Sequence, residues 1–369
     1  MTSDVRAASP HPQPAVSDLT ERELVARIAQ HLPPRPAWML VGIGDDAAVI
    51  EPERNRAEVL TVDAIVDGVH FDRAFVPPDA IGHRALAVNL SDLAAMGAAP
   101  RLALLSFALP PTLPLADFDG IIIGLTNLAA KHRMHVAGGN LTQTHGPLTI
   151  DVTAIGTVKR RQALTRDGAR AGDELYVSGA IGGAAAALAM LRERTRVVSR
   201  QSSVSSPQSS VFSQQSAVAS HSHQTDDLRL TTSYLYPSPR VRLGTLLSRN
   251  RAASACMDLS DGLADAVRQL AEASGVGAII EAAALAIDPA ARAWFESHGG
   301  DAVAECMASD DYELLVATRP RLRGRFAAAL RHADVPLTRI GICTPDRALL
   351  LRQSGVDAPL PRGYSHFGR

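Results

Sequence analysis

Five short acidic motifs contain the residues of this sequence that could do chemistry, and each lies at the end of an apolar run. They are Gly44-Asp45-Asp46, Thr61-Val62-Asp63 with Asp67 and His70 following, Asn89-Leu90-Ser91-Asp92, Asp258-Leu259-Ser260-Asp261-Gly262 and Asp310-Asp311-Tyr312-Glu313. Turn and helix-cap hydrogen bonding explains any one of them alone. Five together predict carboxylates that converge from strand ends and repel one another unless cations neutralise them. Because Mg²⁺ prefers oxygen ligands shared with water and phosphates, the pattern indicates metal-assisted nucleotide chemistry.

Phosphate recognition would depend on metals and arginines, since lysine is almost absent. The only lysines are Lys131 and Lys159, and no G-x-x-x-x-G-K-[ST] loop occurs. Gly138-Gly139-Asn140 follows a strand-like run, where adjacent glycines would let backbone amides approach a phosphate, although a plain turn is the commoner reason for such a pair. Arg166 and Arg170 flank a glycine turn and could pair with phosphate oxygens, although surface arginines are usually just solvated.

Composition excludes several classes of protein. The 369 residues carry 37 basic and 38 acidic groups, a formal net charge of -1, which argues against general binding to nucleic acid or anionic membranes. Three separated cysteines indicate a reducing compartment without a zinc or disulfide framework. No apolar run approaches the length of a membrane span, and the N-terminus lacks the apolar core of a secretory signal. These features predict a cytoplasmic protein.

Apolar periodicity predicts two α/β domains. Residues 1–16 are predicted to be a disordered tail, 17–165 an N-terminal domain and 166–369 a C-terminal domain. The strands VLTVDAIV, RLALLSFAL, LTIDVTAIGTV and DELYVSG and the helices at 17–31, 83–96, 118–132 and 182–191 support this division. A low-complexity insertion at about 195–228 is rich in serine and glutamine, and its centre, residues 199–224, is predicted to be flexible.

Taken in order, the motifs GIGDDAAVI, TVDAIVDGVHF, NLSDLAAMGAAP, VAGGN, TRDGARAGDELYVSG, MDLSDGL, SDDYELL and GYSHF resemble thiamine-monophosphate kinase. That enzyme shares a superfamily with aminoimidazole ribonucleotide synthetase and selenophosphate synthetase. The resemblance implies a two-domain fold of that superfamily with mixed α/β sheets, in which the N-terminal domain binds ATP and Mg²⁺ and dimerises through its sheet. It also implies a homodimer that uses ATP and several Mg²⁺ ions to phosphorylate thiamine monophosphate by direct in-line transfer.

The same resemblance implies roles for individual residues. The metal ligands would be Asp46 with Asp45 beside it, Thr61, Asp63, Asp92, Asn140, Asp258 and Asp261, of which Asp63, Asp92 and Asp258 would act in catalysis. ATP would contact Gly139, Asn140, Arg166 and Ser260, and thiamine monophosphate would contact His70, Asp310 and Tyr364. A Tyr364 ring could stack on the thiamine rings, whose thiazolium cation favours an aromatic face.

Five residues depart from the pattern of that family, among them Ala308 and Ser309, which stand where two glycines are usual. Val62 stands where a second Thr is frequent, which removes a hydroxyl, and Asn140 stands where Asp is frequent, which removes a negative charge from a metal ligand. Asp310 replaces the usual Glu and is shorter by one carbon–carbon bond, about 1.5 Å. We therefore expect weaker metal binding at Asn140, and contact between Asp310 and the substrate through a water or a shifted backbone.

Two alternatives to a kinase remain open at this point. A related ATP-dependent synthetase would share the acidic cleft, but a selenophosphate synthetase should carry a reactive cysteine near its N-terminus, and the first cysteine is Cys256. The GYSHF segment favours the kinase over aminoimidazole ribonucleotide synthetase. A non-enzymatic module that binds divalent metals could use the same carboxylates, although no EF-hand loop is present.

Overall fold

The computed structural model describes residues 13–202 and 220–363, and at 197–202 and 220–225 it describes the backbone alone. Tyr364 and the centre of the serine-rich insertion therefore lie outside the described residues. Within the described ranges, no helix is both long and apolar enough to cross a membrane.

The N-terminal half begins with helix α1 (Glu21–Gln30). Thr20 caps this helix: its hydroxyl accepts from the Glu23 amide while the Glu23 carboxylate accepts from the Thr20 amide. Residue 16 does not belong to a disordered tail, contrary to the prediction. Val16 is buried, and its amide donates to the Leu113 carbonyl at 2.9 Å.

A four-stranded sheet follows, with a two-stranded ribbon before it and two helices packed on one of its faces. The elements are β1 (Met39–Val41), β2 (Val49–Ile50), β3 (Arg56–Val66), α2 (Pro78–Ala95), β4 (Ala99–Leu109), α3 (Leu115–Lys131), β5 (His135–Gln143) and β6 (Thr149–Lys159). The strand order is β3-β6-β4-β5, with β4 and β5 parallel and the other pairs antiparallel. The predicted strands and helices of this half are present. Helices α2 and α3 begin five and three residues earlier than predicted, at Pro78 and Leu115, whereas α1 begins four residues later, at Glu21.

The C-terminal half forms a seven-stranded mixed sheet with helices. Its elements are β7 (Glu174–Ser178), α4 (Gly183–Ser202), α5 (Ser220–Leu235), α6 (Val241–Asn250), β8 (Ala255–Asp258), α7 (Leu263–Ser274), β9 (Gly277–Glu281), α8 (Pro289–Ser297), α9 (Ala302–Met307), β10 (Leu314–Thr318), α10 (Arg323–Leu330), β11 (Leu337–Thr344), β12 (Leu349–Gln353) and β13 (Val356–Pro359). The order is β13-β12-β9-β11-β7-β10-β8. Both described ends of the serine-rich segment are helical, because α4 continues to Ser202 and α5 starts at Ser220. The predicted flexible insertion at 199–224 therefore begins and ends in helical residues, and its centre lies outside the described residues.

Helix α2 lies at the centre of the molecule. It is buried on nearly all sides, and it packs against α3, the first sheet, α6 and β8. A helix that is apolar around most of its circumference needs neighbours on every side, and here both halves of the chain supply them. Polar side chains on α2 therefore face either a buried partner or a cavity.

Candidate functional site

Three carboxylates from distant parts of the chain form the acidic cluster, defined here as Asp63, Asp92 and Asp258. Asp63 lies inside strand β3, Asp92 lies on helix α2, and Asp258 is the last residue of β8. The expectation that all of them sit at strand ends is correct only for Asp258. Asp63 is tolerated within strand β3 because β3 is an edge strand. Asp92 is tolerated on helix α2 because its carboxylate accepts a hydrogen bond from the Thr61 hydroxyl.

Burial and mutual repulsion raise the pKa values of the carboxylates in this cluster. Burial, followed by the charges of Asp92 and Asp258 and then Asp151 and Asp261, raises the pKa of Asp63 to about 7. Burial, followed by Asp92, likewise raises the pKa of Asp258 to about 7, while a hydrogen bond from the Ser91 hydroxyl at 2.7 Å opposes that rise. Such a group is stabilised by a cation that restores the ionised form.

Arg166 is one cation beside this cluster. Burial raises the pKa of both Asp92 and Asp258, and the charge of Arg166 opposes that rise. The Arg166 guanidinium also donates to the Gln269 side chain at 2.7 Å. The arginine is exposed and lies in the segment that links the two sheets. It is therefore placed where an anion bound above the carboxylates would meet a positive charge.

Two loops next to the cluster are bonded to each other. The Leu259 amide donates to the Glu313 carbonyl at 2.8 Å, and the Tyr312 amide donates to the Leu259 carbonyl at 3.2 Å. Gly262 has φ +90°, and a Cβ there would lie 2.5 Å from the Met307 carbonyl oxygen, so no other residue fits without a shift. Tyr312 has φ +53° although it is bulky, which stores strain at this junction.

Asp311 binds the start of helix α4. Its carboxylate accepts from the Gly182 amide at 2.6 Å and from the Ala184 amide at 3.0 Å. Burial raises the pKa of Asp311 to about 7, and these two hydrogen bonds oppose the rise. The helix N-terminus is thus already occupied by a protein carboxylate.

A cavity of about 490 Å³, called here the His70 cavity, adjoins the loop that follows Asp258. It brings together four residues that the sequence singled out, namely His70, Ser260, Asp261 and Asp310. The aromatic side chains that line it are Phe71, Phe75, Tyr234, Phe295 and Tyr312, and Arg84 and Arg192 are its arginines. The His70 ring accepts from the Val66 amide at 3.1 Å through Nδ1, so the last residue of strand β3 orients this imidazole.

Arg84 is a site residue that the sequence motifs did not reveal. It is 3% exposed, it donates to Asp310 Oδ2 at 3.0 Å and to the Tyr234 carbonyl, and its guanidinium lies 4.4 Å from the centre of the Tyr234 ring. The one available signal was an arginine inside the apolar run of α2, where a solvated residue was unexpected.

A second cavity, of about 750 Å³, lies between α1 and strand β5 and is called here the α1 cavity. It is lined by Asp45, Asp46, Gly139 and Asn140 among others, none of which lines the His70 cavity. Gly139 does not end a strand as predicted, because β5 continues to Gln143. A Cβ on Gly139 would lie 2.0 Å from the Leu105 carbonyl oxygen, so close approach of parallel strand β4 requires the glycine.

The donor set of the acidic cluster is suited to Mg²⁺ bound together with phosphates. Within residues 13–202 and 220–363, no group of three or more His, Cys, Asp or Glu side chains is arranged to hold a metal ion by itself. Mg²⁺ commonly takes only one or two protein carboxylates and completes its shell with water and substrate phosphates. Mutually repelling carboxylates, of which Asp63 and Asp92 are half-buried and Asp258 is buried, fit that requirement.

Comparison with known proteins agrees with the predicted family. The family described as AIR synthase related protein matches residues 44–158 with its N-terminal domain and 170–351 with its C-terminal domain. The thiamine-monophosphate kinase of Bacillus subtilis is 32% identical over 338 residues, which cover 89% of this chain and 93% of that protein.

Solved structures give the same relationship. The crystal structure of thiamine-monophosphate kinase from Stenotrophomonas maltophilia matches with a TM-score of 0.75 and 34% identity, over 92% of this chain and 98% of that one. The structure described as AaThiL complexed with AMPPCP and TMP matches with a TM-score of 0.69 and 27% identity, over 95% and 98%. The expected fold, with two α/β domains and mixed sheets, is confirmed.

Proposed function

Because the chain belongs to the AIR synthase related family and, within it, to the thiamine-monophosphate kinases, we propose that it transfers the γ-phosphoryl group of ATP to thiamine monophosphate. The observation that carries this proposal is the continuity of the acidic cluster with the His70 cavity. Asp258 belongs to the cluster, and Ser260 and Asp261, two and three residues later, line the cavity. One short loop therefore joins a site for cations with a site for an acceptor.

The reaction joins two anions, so charge neutralisation matters more than proton transfer. The acceptor phosphate is already ionised and needs little help from a general base. Arg166 supplies one fixed positive charge next to Asp92 and Asp258. The loops locked together around Leu259 hold donor and acceptor sites at a constant separation, which favours in-line alignment.

We propose that several Mg²⁺ ions share the carboxylates of Asp63, Asp92 and Asp258, with Thr61 and Asp261 beside them, so that each ion takes one or two protein carboxylates. When bound there, Mg²⁺ would neutralise the phosphate oxygens of both substrates and the charge that develops during transfer. Asp46, with Asp45 beside it, and Asn140 would bind phosphates or metal from the α1 cavity. Gly139 and Ser260 would contact ATP. The amide of Asn140 contributes no charge, so we expect it to be the weaker ligand.

The acceptor is proposed to bind in the His70 cavity. Its aromatic walls suit flat heterocyclic rings, and a cationic thiazolium is attracted both by the faces of Tyr234 and Tyr312 and by the Asp310 carboxylate. His70 would contact the same substrate. Tyr364, outside the described residues, is proposed to complete this pocket.

The proposal includes a homodimer formed through the uncovered face of the first sheet. Leu60 and Val62 on β3 are 63% and 59% exposed, and Leu104 on β4 is 37% exposed. Val62 and Leu104 both lie opposite Thr153 of β6, so they share one face. Large apolar side chains gathered on an open sheet indicate a surface that another protein chain covers.

Asp258→Asn tests the proposed site directly. It removes a charge that the metals need while preserving size, and we expect kcat to fall by at least about 100-fold, in the range typical for loss of one stabilising group. Glu272→Gln, an exposed change on α7, is the matched control and should retain wild-type kcat. Near-normal turnover by Asp258→Asn would contradict the assignment.

A further inference from the structure

Arg84 joins the two halves of the chain at the base of the His70 cavity. It belongs to α2, yet its acceptors are Asp310 Oδ2, at 3.0 Å, and the Tyr234 carbonyl, which lie 226 and 150 residues further along the chain. Its Cζ atom lies over the Tyr234 ring, 4.4 Å from the ring centre, and 5.9 Å from the centre of the Tyr312 ring. One side chain thus contacts three residues that line the cavity.

The ion pair between Arg84 and Asp310 is asymmetric. The Arg84 side chain is 4% exposed, whereas that of Asp310 is 31% exposed. The Arg84 Nε is buried without a hydrogen-bond partner among the described residues. Burying a guanidinium is costly, so the fold tolerates it here only because a carboxylate, a carbonyl and an aromatic face receive it. The Arg84 cation is therefore enclosed by protein, whereas the Asp310 carboxylate is accessible from the cavity.

Helix α2 also carries Asp92 of the acidic cluster. Asp92 follows Arg84 by eight residues, which corresponds to about 12 Å along a helix axis. Because α2 is buried on nearly all sides, its two ends cannot move independently. Through its ion pair with Arg84, Asp310 is therefore anchored to the same helix that carries the proposed metal ligand Asp92.

We infer that Arg84 is a positioning residue for the acceptor: it holds the Asp310 carboxylate against α2 so that the shorter aspartate side chain meets the cationic part of the substrate. This inference rests on the proposed function. Arginine suits the task better than lysine, because a planar fork can hold a carboxylate and a carbonyl at once while stacking on a tyrosine.

A double-mutant cycle with Arg84→Gln and Asp310→Asn tests this role. The readouts are KM for thiamine monophosphate, KM for ATP and kcat. We expect Arg84→Gln to raise KM for thiamine monophosphate by about 10-fold, the lower end for losing a hydrogen bond to a charged group, with KM for ATP changed by less than about 2-fold. In the Asp310→Asn background the same change should have less than about a third of that effect, because Arg84 acts through Asp310.

Arg101→Gln is the matched control. Arg101 is also a buried arginine stacked on an aromatic ring, Trp38 at 4.4 Å, but it does not line the His70 cavity. The Arg101→Gln substitution should lower the melting temperature without raising KM for thiamine monophosphate. Arg84→Lys, which keeps the charge, should restore part of the lost affinity.

Two results would overturn the inference. In the first, the effects of Arg84→Gln and Asp310→Asn on KM for thiamine monophosphate are independent, so the fold-changes multiply in the double variant. In the second, Arg84→Gln raises KM for ATP as much as it raises KM for thiamine monophosphate. If Arg84→Gln does not fold, the cycle is run with Arg84→Lys, whose few-fold rise in KM must disappear in the Asp310→Asn background. Absence of turnover in the wild-type enzyme would instead refute the proposed function, so the two failures are distinguishable.

Discussion

Replacing Asp63 with asparagine should stabilise the protein when divalent metal is removed. Burial and four neighbouring carboxylates raise the pKa of Asp63 from 3.8 to about 7, so ionising this group costs the folded state free energy. Asparagine has almost the same shape and never ionises. The substitution therefore removes the repulsion while the fold is kept.

The size of this effect follows from the pKa difference between the folded and unfolded states. About three units at 1.36 kcal/mol each give roughly 4 kcal/mol as an upper bound, and coupling within the cluster reduces the expected gain to about 2–4 kcal/mol. The folded state binds the proton more tightly, so the cost of ionisation starts near pH 4 and is complete just above pH 7. The stabilisation by Asp63→Asn must therefore grow with pH over that window and stay constant above it.

Thermal unfolding in EDTA measures this stabilisation. At pH 8 we expect the melting temperature of Asp63→Asn to exceed that of the wild type by on the order of 3–5 °C, with a smaller difference at pH 5. Glu272→Gln, exposed on α7, should show no such pH-dependent gain. Addition of Mg²⁺ and ATP should raise the wild-type melting temperature more than that of the variant. A variant that is no more stable than the wild type at pH 8 in EDTA would refute the reasoning about the cluster.

Three further predictions concern the loop, the exposed cation and the open sheet. Gly262→Ala should destabilise the protein by about 2–3 kcal/mol, measured by denaturant unfolding, because a Cβ would meet the Met307 carbonyl and the backbone has positive φ. Arg166→Gln should raise KM for ATP about 10-fold in steady-state assays with little change in unfolding free energy, since this arginine is exposed. Val62→Glu should shift the protein from dimer to monomer in sedimentation analysis, because a charge would enter the proposed interface; an unchanged dimer would remove this sheet face from the account.

The sequence predicts strands and helices well where one periodicity dominates. The alternating pattern of residues 148–158 matches β6 closely, because one face of that strand is buried under the helices. Apolar periodicity does not predict where the helices begin, because capping residues determine those positions. α1 begins after Thr20 because Glu23 completes its cap, and α2 begins at Pro78 because proline suits the first helical turn.

The candidate site was predictable in its residue types and less so in its geometry. Asp63, Asp92 and Asp258 were identified because aspartate is unusual beside apolar runs, and they do interact in the structure. Arg84 was missed because both of its acceptors are more than a hundred residues away, a relation that no local pattern contains. Gly139 was assigned to phosphate binding, although close strand packing already requires a glycine there.

The central claim is phosphoryl transfer from ATP to thiamine monophosphate, and phosphorus NMR of the purified protein with ATP, Mg²⁺ and thiamine monophosphate tests it directly. Parallel samples lack one component each, and a further sample contains Asp258→Asn. We predict that thiamine diphosphate and ADP appear in equal amounts only in the complete wild-type sample. ATP that stays intact, or that yields ADP and free phosphate without thiamine diphosphate, would contradict the account.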